Sequence, residues 1–158
     1  MVLIFCLGGK KPEKIYHTPI TNKEISKTLI ENYSGLWKTV GDLIRNHFPG
    51  LAEMYSKVPE KHRLFDLYSL LVVNLTMATK YHKDLKDYRN GFCCVFPFED
   101  YDGGELHFPE LNVTVNLRPG DLIVFQSHLL THGNWPVTRG NRKSCVLLTH
   151  NTVMNNSL

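Results

Sequence analysis

At 158 residues the chain has room for one domain, and with 42% hydrophobic and 21% charged residues it can build a core, which excludes global disorder. No apolar run approaches the ~20 residues that span a bilayer, and no repeat or low-complexity tract is present, so membrane-spanning, fibrous and repeat architectures are set aside. The formal charge of +3 is too small to name a partner by itself.

The first seven residues are apolar, but they are too short and lack the basic start of a signal peptide, so they read as an edge strand. Thr21 with Glu24 has the spacing of a capping box, and Ile25, Leu29 and Tyr33 then recur at helical period. After Ser34 and Gly35 a second helix carries Leu36, Val40, Leu43, Ile44 and Phe48 on one face until Pro49 and Gly50 stop it. A shorter helical piece over residues 51–58 ends at Pro59. From residue 69 the texture changes to short runs rich in β-branched and aromatic residues: 69–75, 91–96, 112–117, 121–125 and 144–149. Turn signals at 102–104, 119–121, 133–134 and 140–141 separate several of them. Helices first and short strands after give an α+β chain, an antiparallel barrel or jelly roll with helices on one side. The expected organisation is a single domain over 1–158, with helical support in 1–65, a jelly-roll core in 66–150 and a tail in 151–158.

Four cysteines without a Cys-x-x-Cys pattern argue for a reducing, intracellular compartment. Cys93 and Cys94, adjacent on a strand, point to opposite faces. Of the four Asn-x-Ser/Thr sequons, those at Asn74 and Asn112 fall in predicted strands, where a glycan has no room. The charge is uneven: residues 1–90 hold 14 Lys and Arg against 9 Asp and Glu, whereas 91–158 hold 4 against 6. Lys80, Lys83, Lys86 and Arg89 form a run that suits either a solvated loop or a rim facing a polyanion.

Eight histidines allow many accidental pairs. His17, His47 and His62 lie in the helical third or its loops and read as structural or surface residues. His82 and Asp84 differ: on extended chain, residues two apart project to one side, so an imidazole and a carboxylate reach one metal ion. A second histidine from a distant strand completes the two-His-one-carboxylate face of a non-haem Fe(II) site. His132 and His128 compete for that place. His132 is preferred, because Pro136 and Val137, Gly140 and Arg142 follow it at suitable intervals, leaving His128 as a wall residue. Iron with one aspartate carries +1, and a bound 2-oxoglutarate dianion turns the site to −1. A guanidinium nearby restores neutrality, and Arg142 suits this because its planar fork holds a carboxylate bidentately.

These motifs together resemble the Fe(II)/2-oxoglutarate-dependent dioxygenases. The general pattern is carried by His82-x-Asp84, by Gly103-Gly104-Glu105-Leu106 with Phe108-Pro109, by Pro119-Gly120-Asp121, and by His132 with Arg142. The segments 79–87 and 142–150 resemble more narrowly the compact TET/JBP-like nucleic-acid base oxygenases of microbial eukaryotes. The fifty-residue interval between the two histidines is similar to that of compact members. The resemblance implies a double-stranded β-helix (jelly-roll, cupin-like) core preceded by N-terminal helices. It implies Fe(II) held by His82, Asp84 and His132, 2-oxoglutarate held by Arg142 with help from Ser144, O2 as oxidant, and ascorbate as reductant. It further implies methylated DNA as partner, its flipped base read by Asp87 and His150 over an apolar shelf at Val146 and Leu148, and oxidation of 5-methylcytosine or thymine at the methyl group. That partner carries an expected nuclear location. A prolyl-hydroxylase-like oxygenase and a non-catalytic cupin-like binding module are the alternatives.

Overall fold

A computed structural model describes residues 2–5, 23–74 and 78–156. Cys6, His17 and Thr21 of the predicted capping box lie outside these residues. Chain order runs β1 (Val2–Phe5), α1 (Lys23–Asn32), α2 (Ser34–His47), α3 (Pro49–Ser56), β2 (Leu70–Asn74), β3 (Cys93–Phe98), β4 (Tyr101–Gly103), β5 (Leu106–Phe108), β6 (Val113–Val115), β7 (Ile123–Phe125), β8 (Gly133–Asn134), β9 (Val137–Gly140), β10 (Lys143–Leu148) and α4 (Asn151–Asn155).

The helices form where the period predicted them. In α2 the buried residues Trp37, Val40, Gly41 and Ile44 recur at i, i+3, i+4 and i+7, which makes one apolar stripe. Pro49 does not merely end that helix. It starts α3 at the first-turn position, where its missing N–H costs nothing. Trp37 donates its indole N–H to the Leu29 carbonyl of α1 at 3.0 Å, meets Phe65 edge-to-face at 5.2 Å and lies 6.3 Å from the Phe96 ring of β3, which docks the helices on the sheet.

Strand pairing is antiparallel throughout, in a five-stranded sheet of order β1-β2-β10-β3-β7, a three-stranded sheet β6-β5-β8 and a β4-β9 ribbon. β1 pairs only with β2, so it is the edge strand its sequence suggested, and it ties residues 2–5 into the main sheet. Strand period sorts the main sheet into two faces. Leu71, Cys94 and Leu147 join the helices in the larger core. Leu70, Cys93, Val95, Phe125 and Leu148 join Leu106 and Phe108 of the three-stranded sheet in the smaller one. Cys93 and Cys94 are thus split between the faces, as adjacent strand residues must be. Of the residues expected to be a tail, Asn151–Asn155 form α4, with Met154 fully buried in the larger core, and 157–158 lie outside the described residues.

Arg118, Pro119, Gly120 and Asp121 form a tight turn: the Asp121 N–H meets the Arg118 carbonyl at 2.9 Å, and Gly120 takes φ +96°. That turn delivers β7 to the sheet beside β3, with Cys93 opposite Phe125. The chain is a jelly-roll: a large and a small sheet face each other across a cavity, and helices cover the outer side of the large one.

Candidate active site and metal centre

Three segments build the site. Residues 79–82 lie beside β8 on the side away from β5, with the Asn134 N–H on the Thr79 carbonyl at 2.9 Å. His82 and His132 then exchange both backbone hydrogen bonds, each at 3.0 Å, so the two histidines stand opposite each other on one rung. Their rings lie 4.5 Å apart, and the Asp84 carboxylate reaches across both, 3.5 Å from His82 Nε2 and 3.4 Å from His132 Nε2. The three donor atoms lie within 4.8 Å of one another, close enough for one metal ion. Gly133 is required beside this rung, because a Cβ there would sit 2.8 Å from the Tyr81 ring and 2.9 Å from the Thr79 carbonyl.

The imidazoles are oriented by their own backbone. His82 Nδ1 lies 2.8 Å from the Lys80 carbonyl and His132 Nδ1 2.9 Å from the Leu130 carbonyl. A carbonyl only accepts, so each Nδ1 carries a proton, and each Nε2 faces Asp84, donating to its carboxylate when the ring is protonated and offering a metal-binding lone pair when it is not. Burial alone would raise the Asp84 carboxyl, but hydrogen bonding from His132 and His82 outweighs it and holds Asp84 well below the usual carboxylate range. Asp84 in turn raises His82. Outside the rung, Glu110 Oε1 accepts from the Thr131 hydroxyl at 2.5 Å and lies 3.3 Å from Lys83 Nζ, bracing both histidine segments.

Behind the rung is a cavity of about 770 Å³. One wall is the inner face of the main sheet: Leu70, Val72 and Asn74 of β2, with Ser144, Val146 and Leu148 of β10 directly opposite them. Arg142 lines the cavity, only 5% exposed, with its Cζ 5.8 Å from the centre of the Tyr101 ring. Its Nη1 lies 3.5 Å from the Ser144 hydroxyl, its Nε has no hydrogen-bond partner, and no carboxylate pairs with it among the described residues. Burial lowers its basicity, and the Tyr101 ring partly offsets this. Gly104 leaves it room, since a Cβ there would lie 2.9 Å from Arg142 Cδ.

Asp87 and His150 face each other as an isolated antiparallel pair, Oδ1 to Nε2 at 3.8 Å, and both line the cavity. Asp87 is buried and takes the Ser127 hydroxyl on Oδ2 at 2.5 Å. Burial, then the Asp84 charge, push its carboxyl up to about 7. Burial and Lys86 lower His150.

All seven residues singled out in the sequence therefore line one cavity, with Val146 and Leu148 on its floor. His128 does not. The Leu129 and Leu130 N–H groups both turn back to the Gln126 carbonyl, at 3.1 and 3.0 Å, and this tight turn carries His128 away from the cavity lining. Sequence reading passed over Ser127, Tyr101 and Phe125, whose ring meets His132 edge-on at 4.9 Å. None of the three sits in a spacing that signals a role.

Two imidazoles and a carboxylate thus stand together beside a jelly-roll cavity lined by a buried, unpaired arginine, and comparison with known proteins gives the class. The chain belongs to the TET/JBP family, the oxygenase domain of the 2OGFeDO superfamily, whose family model matches residues 6–151. It is 29% identical over 126 residues to the thymine dioxygenase JBP1 of Crithidia fasciculata, covering 75% of this chain and 15% of that protein. It is 26% identical over 115 residues to the bifunctional helicase and thymine dioxygenase JBP2 of Trypanosoma cruzi (strain CL Brener), covering 64% of this chain and 10% of that protein. The chain thus spans a small part of either relative. NgTET1 in complex with 5mC DNA shares the fold, with a TM-score of 0.80 at 19% identity over 97% of this chain and 62% of that one.

Proposed function

We propose that the chain is an Fe(II)- and 2-oxoglutarate-dependent dioxygenase that oxidises the methyl group of a modified base in DNA. The observation that carries this is one cavity holding two imidazoles and a carboxylate at its mouth and, deeper, a buried arginine without a counter-ion. The donor set suits Fe(II): His82 Nε2, His132 Nε2 and Asp84 leave room on an octahedral ion for a chelating co-substrate and O2. The orphaned Arg142 Nε suits a carboxylate, because a buried guanidinium with no anion is costly and a dicarboxylate completes it. When bound, iron with 2-oxoglutarate and O2 supplies the oxidising power, yielding succinate and CO2 while one oxygen atom enters the substrate.

The chain's own residues do the rest. Lys80 and Leu130 carbonyls fix the tautomers of the two histidines. Arg142 and Ser144 tether the far carboxylate of the co-substrate. Leu70, Val72, Val146 and Leu148 give an aliphatic floor that excludes water. Asp87 and His150 present an acceptor and an imidazole to the polar edge of a base, which must leave the duplex to reach them. The two JBP relatives are named as thymine dioxygenases and the NgTET1 complex contains 5mC DNA, so thymine and 5-methylcytosine are the two substrates to weigh. Lys80 is exposed and lines the cavity, where it can meet a phosphate, whereas Lys83 is already engaged by Glu110. Ascorbate serves as reductant, and a DNA substrate implies a nuclear location.

Mass spectrometry of nucleosides checks the reading, after incubating duplexes containing 5-methylcytosine or only thymine with the protein, Fe(II), ascorbate and 2-oxoglutarate. Appearance of a hydroxymethyl base, dependent on 2-oxoglutarate, is expected. Succinate without any oxidised base would move the substrate elsewhere, and absence of both would end the proposal.

A further inference from the structure

Ser127 is only 2% exposed, yet it contacts both halves of the site. Its backbone carbonyl accepts the Asp84 N–H at 3.0 Å, and its hydroxyl donates to Asp87 Oδ2 at 2.5 Å. Its side chain also meets the Cys93 thiol. Asp87 is itself folded back on the metal-side loop, its N–H on the Asp84 carbonyl at 2.9 Å. On its far side the loop is stitched to the end of β10, the Tyr88 N–H to the Thr149 carbonyl at 2.8 Å and the Asn151 N–H to the Lys86 carbonyl at 2.9 Å. The backbone of this loop is therefore fixed from both sides. The Asp87 side chain is fixed at one oxygen, and the donor there is Ser127.

We propose that Ser127 is a positioning residue: it occupies Oδ2 of Asp87 and so leaves Oδ1, the oxygen beside His150, as the acceptor offered to the substrate. This rests on the base-oxidising reading of the cavity. A buried carboxylate has about four acceptor positions and can turn about its terminal torsion. With the hydroxyl removed, Oδ1 and Oδ2 become interchangeable and the polar edge of a bound base meets a rotating acceptor. The iron side depends on the Ser127 carbonyl, which any residue supplies. Ser127 sits five positions before His132, so the segment that brings in the second imidazole also sets the substrate contact.

Three variants of the full chain test this: Ser127→Ala, Ser127→Cys and Ser127→Thr. Each is assayed for Fe(II) affinity, succinate formed without DNA, oxidised base per succinate with DNA, and the ¹³C shift of the Asp87 carboxyl in metal-free protein. In Ser127→Ala, oxidised base per succinate should fall about tenfold, the scale of one buried hydrogen bond left unmade. That loss should far exceed any change in iron affinity or DNA-free turnover, and the Asp87 shift should move. Ser127→Thr should restore both, with Ser127→Cys between. Equal losses in all readouts, or an unmoved Asp87 shift, would overturn the assignment. Wild-type protein that forms succinate but oxidises no base marks failure of the functional reading. The Asp87 shift then still decides whether Ser127 holds that carboxyl.

Discussion

The two faces of the main sheet are made by the same strands and share one register, yet they do opposite work. On the helix side, Leu71, Cys94 and Leu147 are fully buried beneath Trp37, Ile44 and Tyr55. Tyr68 and Cys94 meet there at 2.9 Å, and burial pushes the Cys94 thiol up to about 12, a group kept neutral and inert. On the cavity side, Leu70, Val72, Val146 and Leu148 face space, and titratable groups cluster around them: Asp84, Asp87 and Arg142. One face satisfies itself and carries the stability of the fold. The other leaves groups unmatched, and that is what a ligand can complete.

The sharpest way to break this comparison is at Asp84, which stands between both imidazoles. Asp84→Ala should reduce Fe(II) affinity at least a hundredfold and abolish succinate formation, and iron retention after gel filtration measures it. Next comes a pair of neighbours on β10. Leu147→Ala, in the helix core, should cost about 2–5 kcal/mol in urea denaturation, and Leu148→Ala, against the cavity, about half as much because fewer atoms surround it. Equal costs would mean that the faces do not differ in packing. Arg142→Met should weaken 2-oxoglutarate binding about ten- to a hundredfold while leaving metal-free stability unchanged or raised by about 1 kcal/mol, since it removes a buried cation without a partner. Calorimetry with and without 2-oxoglutarate reads both.

The smallest effect is a pH slope in the metal-free protein. Asp87 is pushed up to about 7 from its ordinary value of 3.8, so the folded state holds a proton that the unfolded chain has already lost. Its neutral form is favoured by folding, and stability falls as pH rises through the window between those values. Asp87→Asn should flatten that decline by about 1–2 kcal/mol, seen by comparing denaturation midpoints at pH 5 and pH 8.

Much of this was legible in the sequence, for physical reasons that also mark where legibility stops. The helical stripe of α2 and the strands β2, β3 and β10 are long enough for their period to show. His82, Asp84 and His132 stood out because residue type and spacing are restricted together there, and the fold brings their donor atoms within 4.8 Å of one another. By contrast β8 has two residues and β5 three, too few to display alternation, and they form only because partners on either side hold them. α4 has five residues and exists because Met154 is buried in the core. His128 was misjudged because nothing in the run 126–132 announces the turn at Gln126. Ser127 was passed over because a serine in that run has no signature; only the fold brings it to Asp87, forty residues away in sequence.

The pairing of residues 82 and 132 has a consequence for assembly. The two imidazoles share a rung, so a slip of one residue along that ladder would turn the ring of residue 82 outward, to the side Tyr81 now occupies. The cluster of two imidazoles and a carboxylate therefore exists only when the early and late portions of the polypeptide have met in the right alignment.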